Sequence, residues 1–359
     1  NNDGNLTINS PNSAEIYGIH SNTGATFNGN MNLTGKNIFG LFHESTDNQY
    51  YNISNTIDDR GAVEKRAGSI NITTSKGKNY GIFGKNVKNI TNGNVYGFKN
   101  DAASISIKTA DNVKNTDNVE IYGIYGENVT GYVTNTKPST ISISGTASTA
   151  YGIYASADPS TSIDGVNKSI INHGNINITL NSGTAYGIWG SGMQIKNTGN
   201  ITLTGVDIGT SKGIYAVASS KVYNSGTITI NGETYNKNEA DGKFIYVDST
   251  SSVVNEGDIV INSPFSTMSM GGGKFVLAKN GKIIAPEIKG EITADANITS
   301  GGFDKTYSSE NAVSGKNDEV KLTSGSALFD AVLKNNDIVM TMKDFDKVVD
   351  DKFLAAYLQ

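Results

Sequence analysis

Two short patterns recur along this chain at a spacing that no single globular core would produce, and they constrain the fold more than any other feature. The first is a pair of aliphatic residues separated by one position: Leu6/Ile8, Met31/Leu33, Ile70/Ile72, Ile105/Ile107, Ile141/Ile143, Ile176/Ile178, Ile201/Leu203, Ile228/Ile230 and Ile259/Ile261. The second is Tyr-Gly-Ile followed by a large side chain, starting at Tyr17, Tyr80, Tyr122, Tyr151 and Tyr186. Phe39-Gly40-Leu41 and Tyr96-Gly97-Phe98 are variants, Lys212-Gly213-Ile214 is a weaker copy, and Phe244-Ile245-Tyr246 is a degenerate one. A third element, Asn-x-Gly, starts at Asn172, Asn197, Asn224 and Asn255. One unit is a turn plus two or three short strands.

No strand of this kind is apolar enough to bury its own face. Stacked on its equivalent one unit away, each completes a continuous parallel sheet, and the reading for residues 1–263 is an all-β, right-handed parallel β-helix. Alternation in Asn175-Ile176-Asn177-Ile178 sets one aliphatic row inside the coil and an Asn/Thr row outside. The Asn-x-Gly corners are expected to use positive φ, which Asn and Gly tolerate, and to stack their Asn side chains in a ladder. Proline removes ladder donors, and the chain has only 5. About a dozen coils at ~4.8 Å predict a rod roughly 60 Å long.

The pattern weakens after Ile261. An open β-helix end exposes unpaired backbone, so a different, capping structure is expected over 264–342, with strands near 320–322, 328–333 and 337–342. The closing segment 343–359 carries Phe345, Val348, Val349, Phe353, Ala356 and Tyr357 at helical spacing and reads as an amphipathic helix. Leu6-Thr7-Ile8 already reads as a strand, so a mature segment of a longer protein is expected. No run approaches the roughly eighteen apolar residues of a membrane helix, and no span is expected.

Composition narrows the chemistry. With 0 Cys, disulfides, a cysteine nucleophile and thiolate metal sites are excluded. The net charge of -5 and the presence of just two arginines, Arg60 and Arg66, leave no electrostatic footprint for nucleic acid. His20, His43 and His173 lack metal-ligand spacing, and no metal or cofactor is expected. Gly209-Thr210-Ser211-Lys212-Gly213 formally matches a hydrolase nucleophile elbow, but a coil strand follows where that motif needs a helix. No catalytic residue is assigned.

Two surfaces remain as binding candidates. A long insertion at about residues 43–69 holds the densest charge cluster, Asp58-Asp59-Arg60 and Glu64-Lys65-Arg66, and reads either as a solvated loop or as a recognition loop. The other is a column of large residues. If the Tyr and Ile of Tyr-Gly-Ile point inward, the next residue points out: His20, Phe42, Phe83, Lys99, Tyr125, Tyr154, Trp189, Tyr215 and Tyr246. Such a stripe anchors a partner through large, low-entropy rings, unless a loop covers it or the alternation is inverted. Insertions at 111–120, 156–168 and 231–241 are read as decorating the same edge.

Units such as Asn224-Ser225-Gly226-Thr227-Ile228-Thr229-Ile230 and Thr149-Ala150-Tyr151-Gly152-Ile153-Tyr154-Ala155 resemble the passenger repeats of type V autotransporters. With 44 Asn and few Arg, the composition is most similar to that of the large fusobacterial outer-membrane adhesins. The resemblance covers about residues 1–262. It implies a passenger exported through its own C-terminal β-barrel translocator, absent from this sequence, and displayed on the bacterial cell surface. It also implies that 264–342 is an autochaperone-like segment, with the 343–359 helix leading toward the barrel. Implied partners are a host receptor or glycan, or partner bacteria. The expected function is a non-enzymatic adhesin passenger. A membrane-proximal stalk without binding of its own and a polysaccharide-acting β-helix enzyme are the alternatives.

Overall fold

The computed structural model describes residues 4–45, 51–55, 57–58, 66–92, 103–159, 168–207, 209–233, 241–242 and 244–261. Beyond these it describes the strand segments 267–268, 274–277, 282–284, 293–294, 297–300, 313–314, 320–322, 329–334 and 337–342. The chain winds as a parallel β-helix with three faces. Asn200–Asp207, Lys212–Val217 and Lys221–Asn224 make one turn, and each pairs in parallel with its counterpart in the turns before and after. The first and second faces together form a 17-stranded sheet, because Thr140–Ala157 and Asn175–Ser191 run unbroken around the bend between them. The third face is a 10-stranded sheet. At ~4.8 Å per rung its ten strands span roughly 45 Å.

The recurring aliphatics occupy the interior as columns. On the first face Ile70, Ile105, Ile141, Ile176, Ile201, Ile228 and Ile259 stand in register, and each is 0% exposed. Ile82, Ile124, Ile153, Ile188 and Ile214 do the same on the second face, and Ile53, Ile90, Val133, Ile170 and Ile195 form the third-face column at 0–1% exposure. Full burial of each such side chain stabilises by about 1.5–3 kcal/mol, and only stacking provides it.

The corner after the third face holds a buried amide ladder. Asn55 Nδ2 donates to Asn92 Oδ1 at 3.0 Å, Asn92 to Asn135 at 2.8 Å and Asn135 to Asn172 at 2.8 Å. The chain of bonds continues from Asn172 to Asn197 and Asn197 to Asn224, both 2.7 Å, and from Asn224 to Asn255 at 2.6 Å. All of these residues are 0% exposed. Phe27 fills the slot before Asn55, whose Oδ1 has no donor among the described residues, and Leu277 takes the register position after Asn255.

The conformational reason expected for these corners is corrected. Positive φ occurs at Asn37, Asn86, Asn118, Asn128, Ala218 and Ser219 and at glycines such as Gly192 and Gly205, not at the Asn-x-Gly corners. There Gly is needed because a Cβ on Gly199 would lie 2.0 Å from Gly174 O, and one on Gly226 2.0 Å from Gly199 O. Asn is needed for the ladder.

Parallel pairing does not stop at 263. Lys274–Leu277 and Asn297–Ser300 extend the third face, and Lys282–Ile284 and Val313–Ser314 the first. The architecture changes at Val320–Leu322, which pairs antiparallel with Phe329–Lys334, itself antiparallel to Asp337–Met342. These lie within a residue of the strands expected there. The 343–359 helix lies outside the described residues. Among those residues the helical element is a 3-10 turn, Asn115–Asp117.

Candidate functional site

The second face carries the aromatics, and the glycine of Tyr-Gly-Ile decides where they point. At that glycine two consecutive residues face inward. A Cβ on Gly123 would lie 2.4 Å from the interior Ile141 Cγ2 and 2.5 Å from Gly152 O, and one on Gly152 would meet Ile176 Cγ2 and Gly187 O at 2.4 and 2.5 Å. The following Ile is also inside. The period-two alternation therefore slips by one, and the rings on both sides of Gly-Ile face outward. This corrects the expectation that Tyr points inward, while the column after Ile does lie outside.

The result is two columns of rings running along the axis. Tyr17, Phe39, Tyr80, Tyr122, Tyr151 and Tyr186 stack at 4.8–5.0 Å, within 15° of parallel. Phe42, Phe83, Tyr125, Tyr154, Trp189, Tyr215 and Tyr246 form the second column, with Trp189 4.2 Å from Tyr154 and 5.9 Å from Tyr215. His20 meets Phe42 edge-on at 4.8 Å. Across the columns the rings meet nearly at right angles, as in Tyr122 with Tyr125 at 5.3 Å and 89°. Such pairs are worth about 0.5–1.5 kcal/mol beyond their buried area. Lys212 ends the first column, its Nζ 5.3 Å from the Tyr186 ring centre.

Exposure varies along the columns. Tyr80 and Tyr122 are 6% and 7% exposed, whereas Tyr125, Tyr151, Tyr154, Tyr186, Trp189, Tyr215 and Tyr246 are half-buried and Tyr17 is exposed. Lys99 lies outside the described residues.

Charged residues flank the earlier rungs at the positions two before the first ring and two after the second. Glu120 accepts from Tyr122 Oη at 2.8 Å and pairs with Lys78 at 3.3 Å. Glu127 accepts from Tyr125 Oη at 3.1 Å, and Lys85 bridges Glu44 at 3.3 Å and Glu127 at 3.7 Å. Burial, with these carboxylates adding to it, holds the Tyr80, Tyr122 and Tyr125 phenols far above the usual tyrosine range. Burial likewise raises those of Tyr151, Tyr154, Tyr186 and Tyr215. All remain hydrogen-bond donors at neutral pH. Neither the glycine column nor the flanking Glu and Lys were singled out from sequence, although their constant offset from Tyr-Gly-Ile was a usable signal.

The charged insertion is divided by the third-face strand Tyr51–Asn55. Beyond it Ile57–Asp58 pairs antiparallel with Arg66–Ala67, setting Asp58 opposite Arg66 in a hairpin at the corner between the third and first faces. Asp59, Arg60 and Lys65 lie outside the described residues. The second face is bounded by the other two corners, so this hairpin and the aromatic columns are not brought together. The remaining insertions do not share one edge either. Those at 111–120 and 231–241 lie between the first and second faces, that at 156–168 between the second and third.

The histidines are dispersed. His43 is buried with Nδ1 2.6 Å from Ser21 O, His20 is exposed, and His173 contacts Thr198 Oγ1, burial lowering its pKa. Among the described residues no group of three or more His, Asp or Glu is arranged to hold a metal. Ser211 is 0% exposed, its Oγ accepts the Ala185 N–H at 2.9 Å, and the strand Lys212–Val217 follows it. No helix among the described residues is long and apolar enough to cross a membrane.

The fold and surface define a parallel β-helix with an external double column of stacked aromatics. No protein-family model matches the chain, and neither a curated protein nor a solved structure is found to be similar to it.

Proposed function

We propose that this chain is a non-enzymatic passenger segment of the type V autotransporter kind, displayed on the bacterial cell surface by a C-terminal β-barrel translocator. Its coils hold the aromatic columns and corner insertions toward a host receptor or glycan, or toward partner bacteria. The observation that carries this reading is the pair of outward ring columns kept in register, the first from Tyr17 to Tyr186 and the second from Phe42 to Tyr246. Large rings held rigid by their neighbours give a partner much contact area at low entropic cost. The acidic residues beside them are engaged by lysines and tyrosine hydroxyls, an arrangement that favours a structural role over acid–base work.

The stalk reading also has an observation in its favour, the change to antiparallel strands at 320–342 that follows the last parallel rungs. Binding of the purified, labelled chain to epithelial cells and to other bacteria separates the two. Saturable binding weakened by a paired Tyr154→Ala and Trp189→Ala change supports recognition within these coils. A folded rod that binds no cell leaves the stalk. Release of new reducing ends from a polysaccharide panel overturns the non-enzymatic reading.

A further inference from the structure

The third face stands apart from the rest of the surface in its charge. Four consecutive strands, Tyr132–Asn135, Ser169–Asn172, Gln194–Asn197 and Lys221–Asn224, present no carboxylate, on a chain whose net charge is -5. Lys137, Lys196 and Lys221 on these strands and their corners are exposed and form no ion pair among the described residues. Carboxylates of the adjoining corners are already engaged. Asp248 accepts from the Ala218 and Thr250 N–H groups at 2.8 and 3.1 Å, Glu256 accepts from Tyr223 Oη at 2.5 Å, and Asp158 is 8% exposed.

Register sets the cations in a line. Lys221 is opposite Gln194, two residues before Lys196, and Lys196 is opposite Ile171, two residues before His173. Asn135 is opposite Asn172, so Lys137 follows one rung back from His173 and one residue further on. Each step from Lys221 to Lys196 to His173 crosses one rung of ~4.8 Å and two residues of ~3.3 Å, about 8 Å on the diagonal. Burial and then the charges of Lys196 and Lys137 lower the His173 pKa, which agrees with both ammonium groups standing near its ring.

This line suits a chain rather than a surface. It begins on the flat of the third face and ends past the corner, so a membrane plane cannot meet both ends. A nucleic acid strand brings a phosphate every ~3.4 Å of axis, and more than half of them would face a net-negative protein unmatched. A linear acidic polysaccharide separates its sulfates or carboxylates by sugar rings and fills the gaps with hydroxyls. Beside the line, Thr134 and Gln194 supply donors and acceptors for those hydroxyls. Tyr132, on the same face, is 39% exposed, and no other ring stacks on it among the described residues. In the aromatic columns each ring covers the next, whereas Tyr132 offers an open face to a sugar.

We propose that Lys137, His173, Lys196 and Lys221 form a binding line for a linear polysaccharide bearing sulfate or carboxylate groups. It lies on a different face from the aromatic columns, goes beyond their reading as a recognition surface and stands independently of it.

The test is calorimetric titration of the whole chain with a heparin hexasaccharide, which carries sulfates, and a hyaluronan hexasaccharide, whose anions are carboxylates alone. Dextran, polyglutamate, oligothymidylate and anionic lipid vesicles run in parallel. Binding of at least one of the two acidic fragments, weakening as salt rises, is expected, and their ratio identifies the preferred anion. Lys196→Gln should weaken it about threefold. The triple change Lys137→Gln, Lys196→Gln and Lys221→Gln should weaken it about thirtyfold, because sites this far apart act additively. All three side chains are exposed, so the variants keep the fold. The His173 proton resonances should titrate at higher pH in the complex, since a bound anion offsets the two lysines. Failure of both acidic fragments to bind, equal binding of dextran, or a triple variant that binds like the parent overturns the proposal. So does tighter binding of polyglutamate, oligothymidylate or vesicles. Loss of heparin binding in the paired Tyr154→Ala and Trp189→Ala change would move the site to the second face and overturn it too. Heparin binding that survives this change while cell binding is lost supports both readings, and cell binding without either acidic fragment removes only this one.

Discussion

Inside the corner after the third face, Asn55, Asn92, Asn135, Asn172, Asn197, Asn224 and Asn255 occupy consecutive rungs without substitution. On the outside of the second face the corresponding columns mix Tyr, Phe, Trp and His, and one ends in Lys212. Both repeat with the same rung spacing, and the difference lies in solvent. A buried ladder needs a side chain that donates and accepts in one plane, and among short side chains of this shape Asn alone does so without charge. A stack of rings needs only flatness, and its edges keep contact with water. The inner ladder therefore specifies register, and the outer columns are free to vary.

The sharpest way to break that contrast is to charge the inner ladder. Asn197→Asp keeps the shape and places a carboxylate at a 0% exposed site between Asn172 and Asn224. Burial raises its folded-state pKa above the unfolded value of about 3.9. The protonated acid both donates and accepts, so stability is retained below about pH 4 and lost as pH rises through the raised folded-state value. The expected loss at pH 7 is about 3–5 kcal/mol relative to the parent, read from urea midpoints across pH. A variant equally stable at both pH values would show that the ladder is not closed to water.

Gly152→Ala acts at the seam between the two systems. Its Cβ would lie 2.4 Å from Ile176 Cγ2 and 2.5 Å from Gly187 O, and relieving that overlap should cost about 1–3 kcal/mol and disturb the tyrosine near-UV signal. The smallest effect belongs to the outer margin. Lys85→Met removes bridges to Glu44 and Glu127 among side chains 35–41% exposed, and should cost no more than about 1 kcal/mol, a difference that disappears in high salt. A larger, salt-independent loss there would place the outer columns on the same footing as the inner ladder.

Much of the fold was legible because burial repeats. The Ile-x-Ile pairs marked the first-face columns, the Asn-x-Gly corners announced stacked amides, and the need to cap an open end pointed to different strands at 320–322 and 337–342. Tyr122 and its counterparts were assigned to the wrong side because alternation was counted through Gly123, where the backbone places two successive residues inside. Asn55, Asn92 and Asn135 escaped notice as ladder members because no glycine stands two residues after them. The charged insertion read as one loop because the strand Tyr51–Asn55 within it carries a single interior aliphatic, Ile53.

The sequence by itself determined that this chain stacks: short strands of alternating Ile and Asn or Thr, none sufficient alone, leave parallel coils as the way to bury the aliphatic rows. Only the tertiary structure decided which side of the wall each aromatic takes. That choice depends on the close approach of one rung's glycine to the carbonyl of the next, a contact between residues far apart in sequence, as between Gly152 and Gly187. Local alternation carries no record of it, because the clash exists only once the coils are stacked.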